Sequence, residues 1–247
     1  MSRWKAASIH LSISAIVGLL VFALLFLVWY PQPLFEASGG QQLIVLLLGV
    51  DLVLGPLLTL ILFKSGKKGM ALDLGLIALI QGAALLYGTH VIAQARPAFI
   101  VAAIDRFSVV SANELDPADL AKGSAPEYRS MSWTGPRLVA ARLPTDVDRL
   151  NALAFSGAEG KDIEKFPEFY VPYEQEAAAL LKRAKSAESL RRSIPEAAPL
   201  LDAWLRDKGR SDSEIVWTPV NARRASLIML LDATTGAVLG ALPIDPW

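Results

Sequence analysis

The sequence predicts a membrane protein with a three-helix N-terminal transmembrane bundle followed by an α+β extracytoplasmic domain that ends in an antiparallel meander. Three observations carry this. Residues 1–95 hold three long apolar runs, about 9–30, 43–63 and 70–93. Residues 96–247 have ordinary globular composition and are long enough to bury one sizeable core. Basic residues gather at the N-terminus (Arg3, Lys5) and in the turn Lys64, Lys67, Lys68. The mean hydropathy of +0.40 is set by the apolar first part.

The first run, Ile9–Tyr30, is longer than the apolar region of a signal peptide, about 7–15 residues, and stays bulky to its end. It reads as an uncleaved anchor, with Trp29 and Tyr30 as an aromatic belt at the far interface. Pro31 and Pro33 stop the helix, and Gly39-Gly40 permits a sharp turn. The second run, Leu43–Phe63, matches a bilayer core of about 30 Å at about 1.5 Å per residue. It carries Asp51 near its middle and Pro56, which can kink a helix. The third run, Met70–Ala93, carries Asp73, Gln81, Tyr87 and His90, and Arg96-Pro97 ends it.

A carboxylate at the bilayer centre costs about 2.5–3.5 kcal/mol on insertion scales, so it wants a partner. Depth matching pairs Asp51 with Gln81, and sets Asp73 level with Thr59 and roughly with His10, a second candidate pair. Two readings of Asp51, Pro56, Thr59, Asp73, Gln81 and His10 stand. They hold the helices together, helped by the small residues Gly49, Gly55, Gly75 and Gly82, or they serve a polar path or a partner helix. Lysines on the cytoplasmic side place the N-terminus in the cytoplasm and residues 96–247 outside it; Arg96 and Arg106 count little against this, because long domains translocate largely regardless of charge.

In the outer half, Ala98–Ile104 and Phe107–Val110 read as a strand leaving the membrane. Ser111 and Glu114 form a capping box before a helix limited by Pro117. Arg137–Leu143 reads as a second strand and Thr145–Phe155 as a helix. Phe166, Phe169, Tyr170 and Tyr173 belong to an aromatic, proline-bearing loop that is either a binding surface or core under a loop. Glu174–Lys185, acids first and bases last, suits the helix dipole. A further helix spans Glu196–Lys208, ended by Gly209. Glu214–Asn221, Ala225–Asp232 and Ala237–Leu242 read as three antiparallel strands, the last two joined through Gly236.

Composition excludes several functions. There is no Cys, and the two histidines, His10 and His90, lie in the membrane part. Ser-His-Asp or Cys-His chemistry and His- or Cys-ligated zinc are therefore closed to the outer domain. No catalytic residue, cofactor or metal is expected. The net charge is zero, so no nucleic-acid partner is expected either.

Several stretches, in this order, resemble the type IV pilin accessory proteins of the TfpX/TfpZ kind, which include FimB-like proteins. They are Tyr30-Pro-x-Pro33-Leu34, Gly39-Gly40, Gly49-Val-Asp51, Leu54-Gly55-Pro56 to Thr59, Asp73-Leu, Gln81, Ala84-Leu-x-Tyr87-Gly88, Arg96-Pro97 and Asp105-Arg106-Phe107. The resemblance covers roughly residues 25–110; beyond it, only Leu231-Asp232-x-x-Thr235-Gly236 matches. It implies a bacterial inner-membrane protein, with a periplasmic C-terminal domain, that works beside the major type IV pilin in pilus assembly and twitching motility, without enzymatic activity. Two other readings remain: a membrane-anchored periplasmic sensor, for which the sequence offers no output domain, and a small transporter using Asp51 and Gln81.

Overall fold

The computed structural model describes the backbone of residues 1–247 and the side chains of all but Gln42, Leu43, Leu46, Leu48 and Val50. Helix α1 (Arg3–Leu24) starts at Ser2, whose hydroxyl accepts from Lys5 N, and runs into a π turn, Leu25–Trp29. The middle apolar run is α3 (Gly40–Gly49), a π turn Val50–Leu54, and α4 (Gly55–Leu62). Helix α5 spans Met70–Ala95. Arg3–Trp29, its π turn included, and α5 are each long and apolar enough to cross a membrane, and the middle run is helical from Gly40 to Leu62 through its own π turn. Helix α1 packs along α4, and α5 packs on α3 and α4.

The connection Tyr30–Gly39 is more than a loop. It contains the short helix α2 (Leu34–Ala37), whose Leu34 and Ala37 sit in the core of the following domain. The Ala37 carbonyl accepts from the backbone N–H of Arg224 at 2.8 Å. Gly39 has φ of +83° and lies under the Arg224 side chain, where a Cβ would come within 3.1 Å of Cγ.

Residues 97–247 build one mixed sheet. Its strands are β1 (Pro97–Ala103), β2 (Arg106–Ser111), β3 (Arg137–Ala141), β4 (Tyr170–Pro172), β5 (Lys185–Ser186), β6 (Ile215–Asn221), β7 (Leu227–Asp232) and β8 (Val238–Leu242). The order is β4-β3-β1-β2-β6-β7-β8, with β5 also paired to β6. The β1–β3 and β2–β6 pairs are parallel and the others antiparallel. Side chains alternate between the two faces. Leu227, Met229 and Leu231 point to one face, Ile228 and Leu230 to the other. Helix α2, Tyr173, Ala177 and Leu180 cover the first face. On the second, α7 (Val147–Ala158) covers one half, and α9 (Ala187–Ser193) and α10 (Ala198–Lys208) the other. The remaining helices, α6 (Pro117–Leu120) and α8 (Ala177–Leu181), are single short turns.

The C-terminal meander forms as expected, with Gly236 at φ +71° in its turn, and Gly209 at φ +61° ends α10. Three expectations are corrected, and one helix is added. Residues 98–110 are two strands of a tight hairpin, turned at Ile104 with φ +59°. The Ser111–Glu114 capping box closes a 3₁₀ turn, Ala112–Glu114, and Asp116 caps α6 anew. Residues 174–185 do not form one helix: α8 keeps only Ala177–Leu181. Glu176 is drawn to Arg142 (2.5 Å), and Lys185 and Ser186 leave to pair with Trp217 and Val216. Helix α9, Ser186-capped, had not been expected.

Candidate functional site

His10, Asp51, Thr59 and Gln81 lie in a seam between α1, the middle run and α5, whereas Tyr87 and His90 of α5 are exposed. His10 Nδ1 and Thr59 Oγ1 lie 2.6 Å apart, and Thr59 is buried. Asp73 does not reach His10; at the end of the helices it pairs with Lys67 at 2.5 Å. Gln81 donates its amide to the backbone carbonyl of Asp51 at 3.5 Å, not to the carboxylate. Pro56 and Gly55 are buried beside it. A Cβ on Gly55 would fall 2.0 Å from Gln81 Nε2, so only glycine leaves room for that amide.

The Asp51 side chain is 8% exposed, and among the described residues its Oδ1 has no hydrogen-bond partner. It sits in the π turn, a distortion of α-helices that is frequent at functional sites. A buried carboxyl oxygen without a donor is costly and ready to accept one.

The aromatic loop divides into core and surface. Tyr170 is fully buried, donates its hydroxyl to the Glu164 carbonyl and packs edge-on to Phe99 at 5.1 Å. Tyr173 donates to the Gly236 carbonyl at 2.6 Å, and burial pushes its phenol up to about 12. These two tyrosines are therefore core, because their hydroxyls have backbone acceptors inside the fold. Phe166 and Phe169 are part-buried and line an open groove of about 310 Å³ with Arg149, Leu153, Ser156 and Glu168. Arg149 bridges its rim to Glu168 at 2.5 Å.

A second constellation joins the helices to the sheet domain. Arg96 follows α5 directly and is buried. Its Nη1 donates to the Ala93 carbonyl at 2.5 Å, one of the last four of α5, where a cation also suits the helix dipole. Its Nε and Nη2 reach the Ser132 carbonyl at 3.3 Å. The guanidinium lies 4.1 Å from the centre of the Trp133 ring and 6.0 Å from that of Trp29. Trp29 Nε1 donates to the Trp133 carbonyl at 3.0 Å, and Tyr30 Oη donates to the Ile92 carbonyl at 3.1 Å. Trp29 and Tyr30 thus face protein instead of forming a lipid-facing belt.

The FimB family model, described as fimbrial assembly protein FimB, matches residues 1–39. The fimbrial assembly protein of serogroup I from Dichelobacter nodosus is 34% identical over 183 residues, 73% of this chain and 71% of that protein. The chain belongs to the FimB fimbrial assembly protein family. The serogroup E1 protein of the same organism is 33% identical over the same shares of each chain. The protein of serogroups C1 and C2 is 37% identical over 113 residues, 45% of this chain and 86% of that one. No solved structure matches.

In this FimB-family chain, sequence reading found the seam residues because charge and amide groups stand out in an apolar run. It missed Trp133 and the buried role of Arg96. Their contacts cross 104 and 36 positions, and an isolated Trp in a Ser-Trp-Thr-Gly segment carries no period to signal it. The plug of Leu34 and Ala37 was missed for the same reason, although Pro33-Leu34-Phe35 is apolar enough to have raised it.

Proposed function

We propose that the chain is an inner-membrane accessory protein of type IV pili, which binds and stabilises the major pilin and so supports pilus assembly and twitching motility. Residues 1–95 act as a three-span bundle with the N-terminus in the cytoplasm, and residues 96–247 as a periplasmic domain. The relatives' description as fimbrial assembly proteins supports the process. The lysines of the Lys64–Lys68 turn, at the end of the helices away from the sheet domain, support the orientation. The role is binding, not a reaction.

One observation carries the choice of contact: the buried Asp51 carboxyl oxygen that has no donor among the described residues. A partner helix that parts the seam and packs against Asp51 supplies that donor within hydrocarbon. Hydrogen bonds between membrane helices are worth about 0.6 kcal/mol on average and up to about 1.7 kcal/mol, enough to select a partner when added to close packing. The Phe166–Phe169 groove offers a second contact to the pilin's periplasmic part.

The test is co-purification. The tagged chain is extracted from inner membranes, and the major pilin is probed in the eluate for wild type and for Asp51→Leu. Pilin with the wild type, reduced severalfold for Asp51→Leu at equal protein level, supports the contact. Equal pilin in both refutes Asp51 as the contact. No pilin with either, beside normal twitching in a deletion strain, refutes the function.

A further inference from the structure

We infer that Trp133 is a lipid-facing anchor, by which the sheet domain rests on the headgroup layer of the membrane beside the end of α1. The inference relies on the reading of α1 as a membrane span.

The position is held from several sides. The Trp133 backbone carbonyl accepts from Trp29 Nε1, which fixes the loop to the last turn of the α1 segment. Gly135, at φ +109°, presses against the Val28 carbonyl so closely that a Cβ would lie 3.0 Å from it. Arg96 covers one face of the indole and is itself tied to Ser132 and to the end of α5. The loop therefore sits level with the ends of both long apolar helices.

Although so firmly held by its backbone and one ring face, the Trp133 side chain is 63% exposed. Among the described residues its indole N–H has no acceptor. In the π turn that carries Trp29 and Val28, the loop's own contacts, Leu27 is 71% exposed. An indole has an apolar body and one donor, which suits the boundary between acyl chains and water, where carbonyl and phosphate oxygens accept. The belt position expected of Trp29 is filled instead by a tryptophan from the sheet domain. Continuity with the exposed apolar surface of α1 commits the occupant to lipid.

The consequence is orientation. The α2 plug already ties the domain to the helices; Trp133 set into the headgroups beside α1 ties it to the membrane as well, and keeps the Phe166–Phe169 groove and the sheet at a constant angle to the bilayer.

The experiment uses the full chain in nanodiscs of phosphatidylcholine brominated either near the glycerol or near the chain end. The emission of Trp133 is the difference between wild type and Trp133→Phe, which keeps an aromatic face for Arg96; Trp133→Tyr serves if the first variant folds poorly. Trp247, 5.7 Å from Arg106 near the opposite hairpin tip, gives an aqueous control through Trp247→Phe. Leu19→Trp, midway along α1, reports the span itself. The inference expects the Trp133 component to lose most of its intensity with shallow bromine and little with deep bromine, while the Trp247 component is unchanged. A Trp133 component quenched by aqueous iodide and not by bromine overturns it. So does one quenched by neither, which would mark a protein partner or a second copy over the indole. If the Leu19→Trp component also escapes bromine, the span reading fails with it.

Discussion

Gln81 reaches the backbone carbonyl of Asp51, 3.5 Å away, and among the described residues the buried Oδ1 of the same residue has no donor. The chain's own chemistry accounts for the choice. In a π turn the fifth residue on from a carbonyl supplies the N–H, and five residues on from Asp51 is Pro56, which has none. The Gln81 amide takes that place. Gly55 is what lets it approach, and among the described residues the buried Oδ1 of Asp51 is left without a hydrogen-bond partner.

Gly55→Ala puts a methyl group where the Gln81 amide lies, and the amide must swing away. The expected cost is about 0.6 kcal/mol, the average for such a bond between membrane helices. The double variant Gly55→Ala, Gln81→Leu should cost little more than the larger of its two single changes, since both remove one bond. Unfolding of the detergent-solubilised chain by denaturing detergent, over the four-member cycle, measures this. Full additivity would show that the amide contributes nothing.

Leu34 links the two parts of the molecule, since it comes from between the first two helices and is buried with Val220, Leu227 and Met229. Leu34→Ala removes buried methyl groups and leaves a cavity, at a cost of about 2–5 kcal/mol. Because the plug joins the helices to the sheet, the variant should also speed hydrogen exchange in β7 and in Arg224–Ala225, whose amides bond to Ala37. Exchange that rises only in α2 would mean the plug is passive.

The sheet was readable where both faces are buried and the runs are long, as in Leu227–Asp232 followed by Thr234-Thr235-Gly236. There, apolar content and turn chemistry point the same way. Residues 174–185 misled because their charge order is right for a helix. The structure is decided by Tyr173, whose hydroxyl is bound at Gly236, and by Lys185 at the edge of β6, contacts 63 and 32 positions away that local pattern does not contain. The seam followed the same rule. Asp51, Thr59 and Gln81 stand out by type, but the His10–Thr59 bond depends on how α1 lies against α4. Asp73 turned to Lys67 because a cation six residues away lay within reach.

Tyr173→Phe tests the assignment of the aromatic loop to core. The change keeps the ring against Phe107 and deletes the only donor the structure gives the buried Gly236 carbonyl among the described residues. The cost should be about 1–3 kcal/mol, from an unsatisfied buried acceptor. Pilin recovery in co-purification should stay at the wild-type level once protein amounts are matched. Unchanged stability with lost pilin would move Tyr173 from core to interface.

Acid should weaken the sheet domain, and Asp232 leads the effect. Its carboxylate accepts from the backbone N–H groups of Thr235 at 2.9 Å and Thr234 at 3.0 Å, and from Arg210 at 3.0 Å. These donors hold its pKa down, at about 2 against an ordinary 3.8. The folded state therefore binds fewer protons than the unfolded one across that interval, so the stabilisation is present above the ordinary value and is lost as pH falls through about 2. Asp119, bonded to Lys122 and Lys161, Asp212, bonded to Arg191, and Glu214, bonded to the Ser211 backbone and hydroxyl, are lowered in the same direction. Glu164 opposes them: burial raises it, so its contribution is present below its ordinary 4.5 and lost as pH rises. Four lowered carboxylates against one raised should leave a net loss of thermal midpoint on acidification from about pH 4 towards about pH 2, read by tryptophan fluorescence of the solubilised full chain. Asp232→Asn keeps an acceptor oxygen but does not titrate, so its midpoint should start lower at neutral pH and fall less steeply. A variant as steep as the wild type would mean that the hairpin carboxylate carries no part of the acid sensitivity.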